Sequence, residues 1–448
     1  MASYVEKIAR LQEEIAAAPP GASARVGLAK STSNLFRDRA PRAAPRIDLK
    51  HFNRVVAYDP AAQAVDTEGM TTYAGLAAST LAHGAMPRVV PQLRSITAGG
   101  AMAGVGIEAT SFRHGLVHDT AIALEVLTGD GRIVICRPDN EHRDLFYGFP
   151  NSYGTLGYAL KLTMRTQPVG KFVQVEHVRF SDAGQCFAAI ARLGSQQDVD
   201  FLDGVVFGAD QMVLSVGRFV DEAPHVSDYS FERIYYRSLL ERSTDYLTVE
   251  GYLWRWDTDW FWCSKNVGAQ HPLLRRLYGK KRLNSVTYQR IMRWNSRWGL
   301  TRALNRMRGV YAESVIQDVD IPLERAADFL AFLHAEVGIL PIWLCPIRAP
   351  DADAAFTLYP LMPGTTYVNF GFWDVVTTSE PRPPGFCNRL IERKVRELGG
   401  IKSLYSDSYF SEEEFWAIYN RPAYAALKER YDPAGALGDL YAKTVMRA

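Results

Sequence analysis

Apolar positions recur along this chain with two different spacings, and the changes of spacing mark out its elements. Near the start Val5, Ile8, Leu11 and Ile15 follow at helical intervals behind Ser3 and Glu6, which have capping-box spacing, and Pro19-Pro20 closes the run. This predicts a short helix that docks through one apolar face. A short strand is expected from Arg25 to Ala29, followed by a polar turn from Lys30 to Leu35. From Ile47 to Val90 the pattern reads strand, Asp59-Pro60 turn, strand, then a helix from Tyr73 to Leu81 with Thr71 or Thr72 as its N-cap. ALEVLTGDGRIVIC reads as a hairpin turning at Gly129-Asp130-Gly131, and Leu145 to Arg165 ends in a further strand.

Beyond Pro168 the strands lengthen, to Phe172–Phe180, Phe201–Phe207 and Met212–Phe219, which places a domain boundary near 168–171. A helix is predicted from Pro322 to Val337 with Asp320 as cap and Gly338 past its end. LPIWLCPI and TYVNFGFWDVV read as buried strands, and Ser411 with Glu414 opens a helical tail carrying Phe415, Trp416 and Tyr419. Hairpins mixed with helices point to an α+β fold.

Composition narrows the class. A chain of 448 residues, 47% hydrophobic and 22% charged, has material for two or three globular domains. Its five cysteines are scattered, odd in number and without a CxxC pair, which argues against a disulfide framework or a thiolate metal site and for a reducing compartment. Neither a signal-peptide pattern nor a run of about 18 apolar residues is present, so a cytoplasmic location is expected. HExxH, GxxxxGK[ST] and GxSxG are absent, which sets aside zincins, P-loop enzymes and the common α/β-hydrolases.

Candidate chemistry concentrates in PQLRSITAGGAMAGVGIEATSFRHGLVHD, residues 91–119. Five glycines among small residues allow a backbone to approach a bulky anion and offer it N–H donors, which suits a diphosphate. Lys30-Ser31-Thr32-Ser33-Asn34-Leu35, directly after a strand, has the hydroxyls, amide and lysine of a second phosphate loop or of an ordinary polar turn. Gly104 to Ala109 fits GxGxxA, with Glu125 downstream. The small-residue run before it and Gly115 after it do not supply the strand and helix that a Rossmann fingerprint requires. His114 and His118 flank the loop without nearby metal-ligand partners and read as core histidines.

These residues carry a resemblance. Pro91-Gln92-Leu93, Ile96 to Gly100 and Gly104 to Glu108 resemble the second diphosphate segment of the vanillyl-alcohol-oxidase (PCMH) type of FAD-binding domain. IEATSFRHGL, LFYGFPNSYGTLGY, LPIWLCPI and SLYSDSYFSEEEFWAIYN resemble segments of the delta-24 sterol reductases, the diminuto/seladin family. The resemblance implies a two-subdomain FAD-binding domain in residues 1–168, joined by a returning tail at 401–448, and an α+β cap domain at 169–400. It implies cofactor contacts at Lys30, Ser31, Thr32, Ser33, Asn34 and Leu35. In the second loop it implies contacts at Pro91, Ile96, Thr97, Ala98, Gly99, Gly100, Gly104, Val105, Gly106, Ile107, Glu108, Ala109 and Ser111, and beyond it at Gly154 and Gly157. With no histidine in 30–35, FAD is expected to be non-covalent, and NADPH or NADH is the implied electron donor.

The implied reaction is reduction of an isolated carbon–carbon double bond in a lipid, either a sterol side chain or a methylene-branched fatty acyl chain. Such an alkene has no carbonyl to receive charge, so protonation must lead or accompany hydride addition, and the site needs an acid in a dry pocket. Candidates in the matching segments are Glu108, His114, Tyr405, Asp407 and Tyr409. Two other readings remain open: an FAD-dependent alcohol oxidase or dehydrogenase, and a lipid-binding flavoprotein without turnover. Finally, the 12 Lys and Arg between Trp260 and Ala312 meet no Asp or Glu there, although the whole chain carries only +2. Within that segment Ile291, Trp294 and Trp298 are spaced to share a helical face among arginines, followed by Leu300 and Leu304. The reading is a segment that docks on an anionic membrane, with no nucleic-acid role.

Overall fold

The computed structural model describes residues 2–16, 27–29, 36–37, 46–298, 309–350, 354 and 356–447. Two antiparallel sheets organise these residues. The first runs, in spatial order, Val55–Asp59, Ala64–Glu68, Tyr158–Pro168, Ala121–Leu127 and Ile133–Cys136, with Ala85–Pro87 also paired to Tyr158–Pro168. The second has eight strands, in the order Thr244–Thr248, Phe172–Phe180, Gln211–Val220, Phe201–Gly208, Ile342–Arg348, Thr366–Thr378, Tyr311–Pro322 and Ile401–Lys402. The first sheet's last strand therefore ends at Pro168, and the second sheet's first begins at Phe172.

Alternation along the strands decides what each face of the larger sheet does. Leu344, Leu202, Val319 and Phe370 face helices Ala183–Gly194, Ala326–Phe332 and Phe386–Glu397, packing with Phe187, Ile190, Phe329 and Ile391. Their neighbours Trp343, Cys345, Val205 and Val213 point the other way and join one cluster with Leu93, Ala98, Met102 and Ile107 of the N-terminal region. The sheet's second face is thus closed by the glycine-rich stretch. The tail helices Glu412–Ile418, Arg421–Tyr431 and Leu440–Thr444 pack on residues 144–155: Lys443 Nζ donates to Tyr153 O at 2.6 Å, and Tyr431 Oη to Asp144 at 2.7 Å.

Several expected elements appear where the pattern puts them, among them helix Tyr73–Leu81 with Thr72 as cap and helix Glu412–Ile418 with a complete Ser411/Glu414 box. Others differ for physical reasons. Helix Tyr4–Ala16 has its Ser3/Glu6 box, but Val5 is 75% exposed, whereas Lys7 is buried and donates to both Glu68 oxygens at 2.6 and 2.7 Å. Leu11 is buried and Ile8 and Ile15 pack beside it as expected, so the buried Lys7–Glu68 pair leaves only Val5 of that face outside. The helix expected from Pro322 starts at Ala326. Asp320 is not its cap but lies in a strand, accepting from Tyr359 Oη at 2.8 Å and Asn369 Nδ2 at 2.7 Å. The strand expected at Arg25–Ala29 is described only as Gly27–Ala29, paired in parallel with Arg46–Asp48. Pro19-Pro20, the loop Lys30 to Leu35, Leu300 and Leu304 lie outside the described residues, as does the side chain of Trp298. Among the described residues no helix is long and apolar enough to cross a membrane.

Candidate active site

A cavity opens between the glycine-rich stretch and the larger sheet. Its N-terminal wall is one continuous segment. Pro91, Ile96, Thr97, Gly100, Gly104, Val105, Gly106 and Ile107 all line it, together with Gln92, Leu93, Ser95 and Ala101. Thr97 caps helix Ala98–Ala103 by accepting from Gly100 N at 3.2 Å. The N–H groups of Ala98 and Gly99 donate to Thr71 O and Gly69 O, both at 2.8 Å, so they are not offered to a ligand. Gly99 is needed for packing, since a Cβ there would sit 2.8 Å from Gly69 O. At Gly100, by contrast, a Cβ would lie 2.8 Å from Thr97 Oγ1, the cap of its own helix, and close to no other element. After the helix the chain is irregular, and the N–H groups of Val105, Gly106 and Ile107 find no acceptor among the described residues.

The opposite wall is aromatic and comes from far along the chain. Trp260, Phe261, Trp343 and Trp373 line it, with Phe36 and Tyr153 at the margin. Trp256, Phe261 and Trp373 form a stack, with centroids 4.7 and 4.2 Å apart. Tyr153, Trp260 and Phe261 have φ of +50°, +44° and +59°, a region that costs non-glycine residues about 1–3 kcal/mol each. Three such residues on one cavity mark it as a site where packing holds the backbone against its preference.

One carboxyl lies on this wall. Asp318, Gly371 and Trp343 stand in register on three adjacent strands. A Cβ on Gly371 would lie 2.6 Å from Asp318 Oδ1 and 2.5 Å from the Trp373 ring, so glycine lets the carboxyl and indole close over the strand. Asp318 is hydrogen-bonded to Tyr405, whose hydroxyl accepts from Trp373 Nε1 at 2.8 Å. Asp318 Oδ1 and Gln92 Nε2 have no partner among the described residues. Burial pushes the Asp318 carboxyl up to about 8, and the nearby Asp320 adds to the rise. It is therefore a neutral acid at pH 7.

The remaining sequence candidates fall elsewhere. Glu108 is not on the lining: its Oε1 lies 3.2 Å from Arg255, which also holds Asp203 Oδ2 at 2.8 Å, and Asp203 accepts from Trp343 Nε1. Burial holds the Glu108 carboxyl above the usual range, a group sharing one guanidinium with a second carboxylate. Ala109 and Ser111 shape that turn, Ala109 N donating to Glu108 Oε1 and Glu108 N to Ser111 Oγ. His114 Nε2 meets Gln167 at 2.7 Å, with its pKa lowered to about 4 by burial. Asp407 and Tyr409 belong to the tail, where Arg447 reaches Asp407 at 3.4 Å and Tyr409 Oη at 3.2 Å. Gly154 and Gly157 have positive φ, and a Cβ on Gly157 would lie 2.5 Å from Val126. Of the five proposed acids only Tyr405 lines the cavity, and Asp318 was missed because one Asp in VIQDVDIP carries no signal distinguishing it from Asp320.

Comparison with known proteins bears on this geometry. An FAD binding domain family matches residues 12–137. The human delta(24)-sterol reductase is 26% identical over 410 residues, covering 87% of this chain and 75% of that protein. This chain is similar to the delta(24)-sterol reductases over most of its length. The Arabidopsis thaliana delta(24)-sterol reductase is 24% identical over 435 residues, 89% of this chain and 76% of its own length. Cytokinin dehydrogenase 7 of Oryza sativa is 30% identical over 150 residues, 33% of this chain and 28% of that protein. The fold is α+β with a PCMH-type FAD-binding domain, and the cofactor is FAD. The cavity fits that group. The N–H donors of 105–107 and the Gln92 amide, without partners among the described residues, provide polar contacts on one wall, which Gly100 also lines, while the aromatic wall suits a flat ring and an apolar substrate.

Proposed function

We propose that this protein reduces an isolated carbon–carbon double bond of a lipid, with Asp318 as the proton donor and FAD, held non-covalently, as the immediate source of hydride. The observation that carries the reading is a single neutral carboxyl with a free oxygen, set in an aromatic wall facing the backbone loop that would hold the flavin. Val105, Gly106 and Ile107 would bind the cofactor through backbone N–H, and Gln92 would meet its polar edge. When bound, FAD accepts two electrons from NADPH or NADH and delivers them as hydride to carbon. Asp318 gives its proton to the less substituted alkene carbon and becomes a carboxylate, to be reprotonated from solvent after product leaves. Tyr405, fixed by Trp373, positions that carboxyl and stabilises its ionised form. Phe261, Trp343 and Trp373 exclude water and face the developing tertiary cation with π-electron density, worth about 0.5–2 kcal/mol per ring.

A sterol side chain and a methylene-branched acyl chain both give such a cation, so this chemistry serves either. Alcohol oxidation needs a base instead, and burial favours the protonated form of the one carboxyl among the described lining residues. Anaerobic mixing with NADPH or NADH should bleach the flavin band, and a lipid alkene should restore it without peroxide. Asp318→Asn should leave the first step intact and slow the second by about 10²–10⁴-fold. Equal slowing of both steps, or reoxidation by an alcohol-derived couple in place of the alkene, would overturn the reading.

A further inference from the structure

Helix Pro272–Tyr278 inverts the usual arrangement of a surface helix. Its buried anchor is charged: Arg275 reaches both oxygens of Asp259, at 2.6 and 2.9 Å, in a nearly dry setting. With 100° per residue, positions two before and two after Arg275 lie opposite it. Those positions are Leu273 and Leu277, which are 65% and 76% exposed, and Leu274 beside them is 43% exposed. The ion pair therefore holds the helix with leucines facing outward. Nothing in the described structure covers them.

The charge beside these leucines indicates what does. Arg276 on the same helix and Lys281 and Arg282 in the following turn Lys280–Arg282 are exposed and have no acidic partner among the described residues. On helix Ser285–Trp298, Trp294 is 56% exposed and Arg290 is exposed. The stretch 260–312 holds 12 basic and no acidic residues. Of these, Lys265, Arg275 and Lys280 have acidic partners in Asp374, Asp259 and Asp228. A groove beside the helix is lined by Arg233, Arg237, Arg242 and Arg276 together with Glu232 and Glu241.

We propose that this face docks on an anionic phospholipid bilayer, with Leu273 and Leu277 entering the acyl boundary and the surrounding Arg and Lys facing lipid phosphates. Exposed leucines without the charge would fit a protein partner as well. Leucines flanked by cations that have no acidic partner among the described residues match a surface that is apolar below and anionic above. The proposal stands apart from the flavin chemistry, since none of these residues lines the cavity.

Flotation of the flavin-loaded protein with vesicles tests it. Recovery should be high with vesicles of phosphatidylcholine and phosphatidylglycerol at low salt, fall at high salt, and be low with phosphatidylcholine alone. Each basic residue neutralised should cost on the order of fivefold in partitioning, and each one reversed correspondingly more. Leu273→Glu with Leu277→Glu, and separately Lys281→Glu with Arg282→Glu, should abolish recovery while flavin absorbance and melting temperature stay unchanged. Equal recovery with both vesicle types, no recovery with either, or variants that float normally would overturn the proposal. So would light scattering that shows self-association removed by the leucine variant, which would assign the face to a second copy of this chain.

Discussion

The wall formed by residues 91–107 and the wall formed by the larger sheet enclose the same cavity but are made of different things. The first is backbone: a capped half-helix, then three consecutive N–H groups without acceptors among the described residues, with glycines at 100, 104 and 106 that let main chain reach the ligand. The second is side chain: rings from the turn at 254–262 stacked on Trp373 of strand Thr366–Thr378, and one carboxyl from strand Tyr311–Pro322. A wall of backbone tolerates almost no added atoms, and a wall of side chains tolerates almost no change of chemistry. Binding should therefore depend on the first and reactivity on the second.

The sharpest way to break that division is at Gly100. Gly100→Val should lose about 3 kcal/mol or more of flavin affinity while keeping its fold at some cost in thermal stability, since Gly100 lines the cavity and its Cβ would press only on Thr97 Oγ1, the cap of the same helix. Gly99→Val should instead lose soluble, folded protein, because its Cβ meets Gly69 O. Flavin occupancy and thermal unfolding measured side by side check both, and a flavin-replete Gly100→Val would remove the loop from the cofactor site.

A smaller effect is expected at the hydroxyl behind the acid. Tyr405→Phe should slow alkene reduction about tenfold, the scale of one lost hydrogen bond, with flavin reduction by NADPH unaltered. The sign of its pH effect follows from the charge it supports. Tyr405 stabilises the Asp318 carboxylate, so the wild-type rate should fall as pH rises through about 8, and the variant's alkaline limb should lie higher. A limb that does not move would place the titrating group elsewhere. Smallest of all is Glu108→Gln, which replaces a carboxyl already raised by burial and facing Arg255 rather than the cavity. Alkene reduction should stay within about threefold of wild type, under 1 kcal/mol in barrier. A hundredfold loss there would return the acid to the glycine wall.

How legible each wall was follows from the same contrast. Gly100, Gly104, Val105 and Gly106 could be singled out because a dense run of small residues has few reasons to exist other than close backbone approach. Even there, local composition could not separate Gly99, whose missing Cβ serves packing, from Gly100, which lines the cavity. Asp407 and Tyr409 sat in the right segment beside Tyr405, yet the chain turns so that Arg447 and Glu392 take them away from the cavity.

By itself the sequence determined the elements with strong local rules: the capping boxes at Ser3 and Ser411, the Gly129–Gly131 hairpin, the glycine stretch and the class of mixed sheets and helices. It also carried the likeness that assigns FAD. Only the tertiary structure decided that Lys7 rather than Val5 is buried, that Arg275 faces inward and leaves two leucines outside, and that Asp318 rather than Glu108 faces the cavity. The physical reason is common to all three. A charge is placed by what lies across from it, and Glu68, Asp259 and the Tyr405–Trp373 pair reach their partners from 61, 16 and more than 50 positions away in the chain. Periodicity within one element carries no record of such a partner.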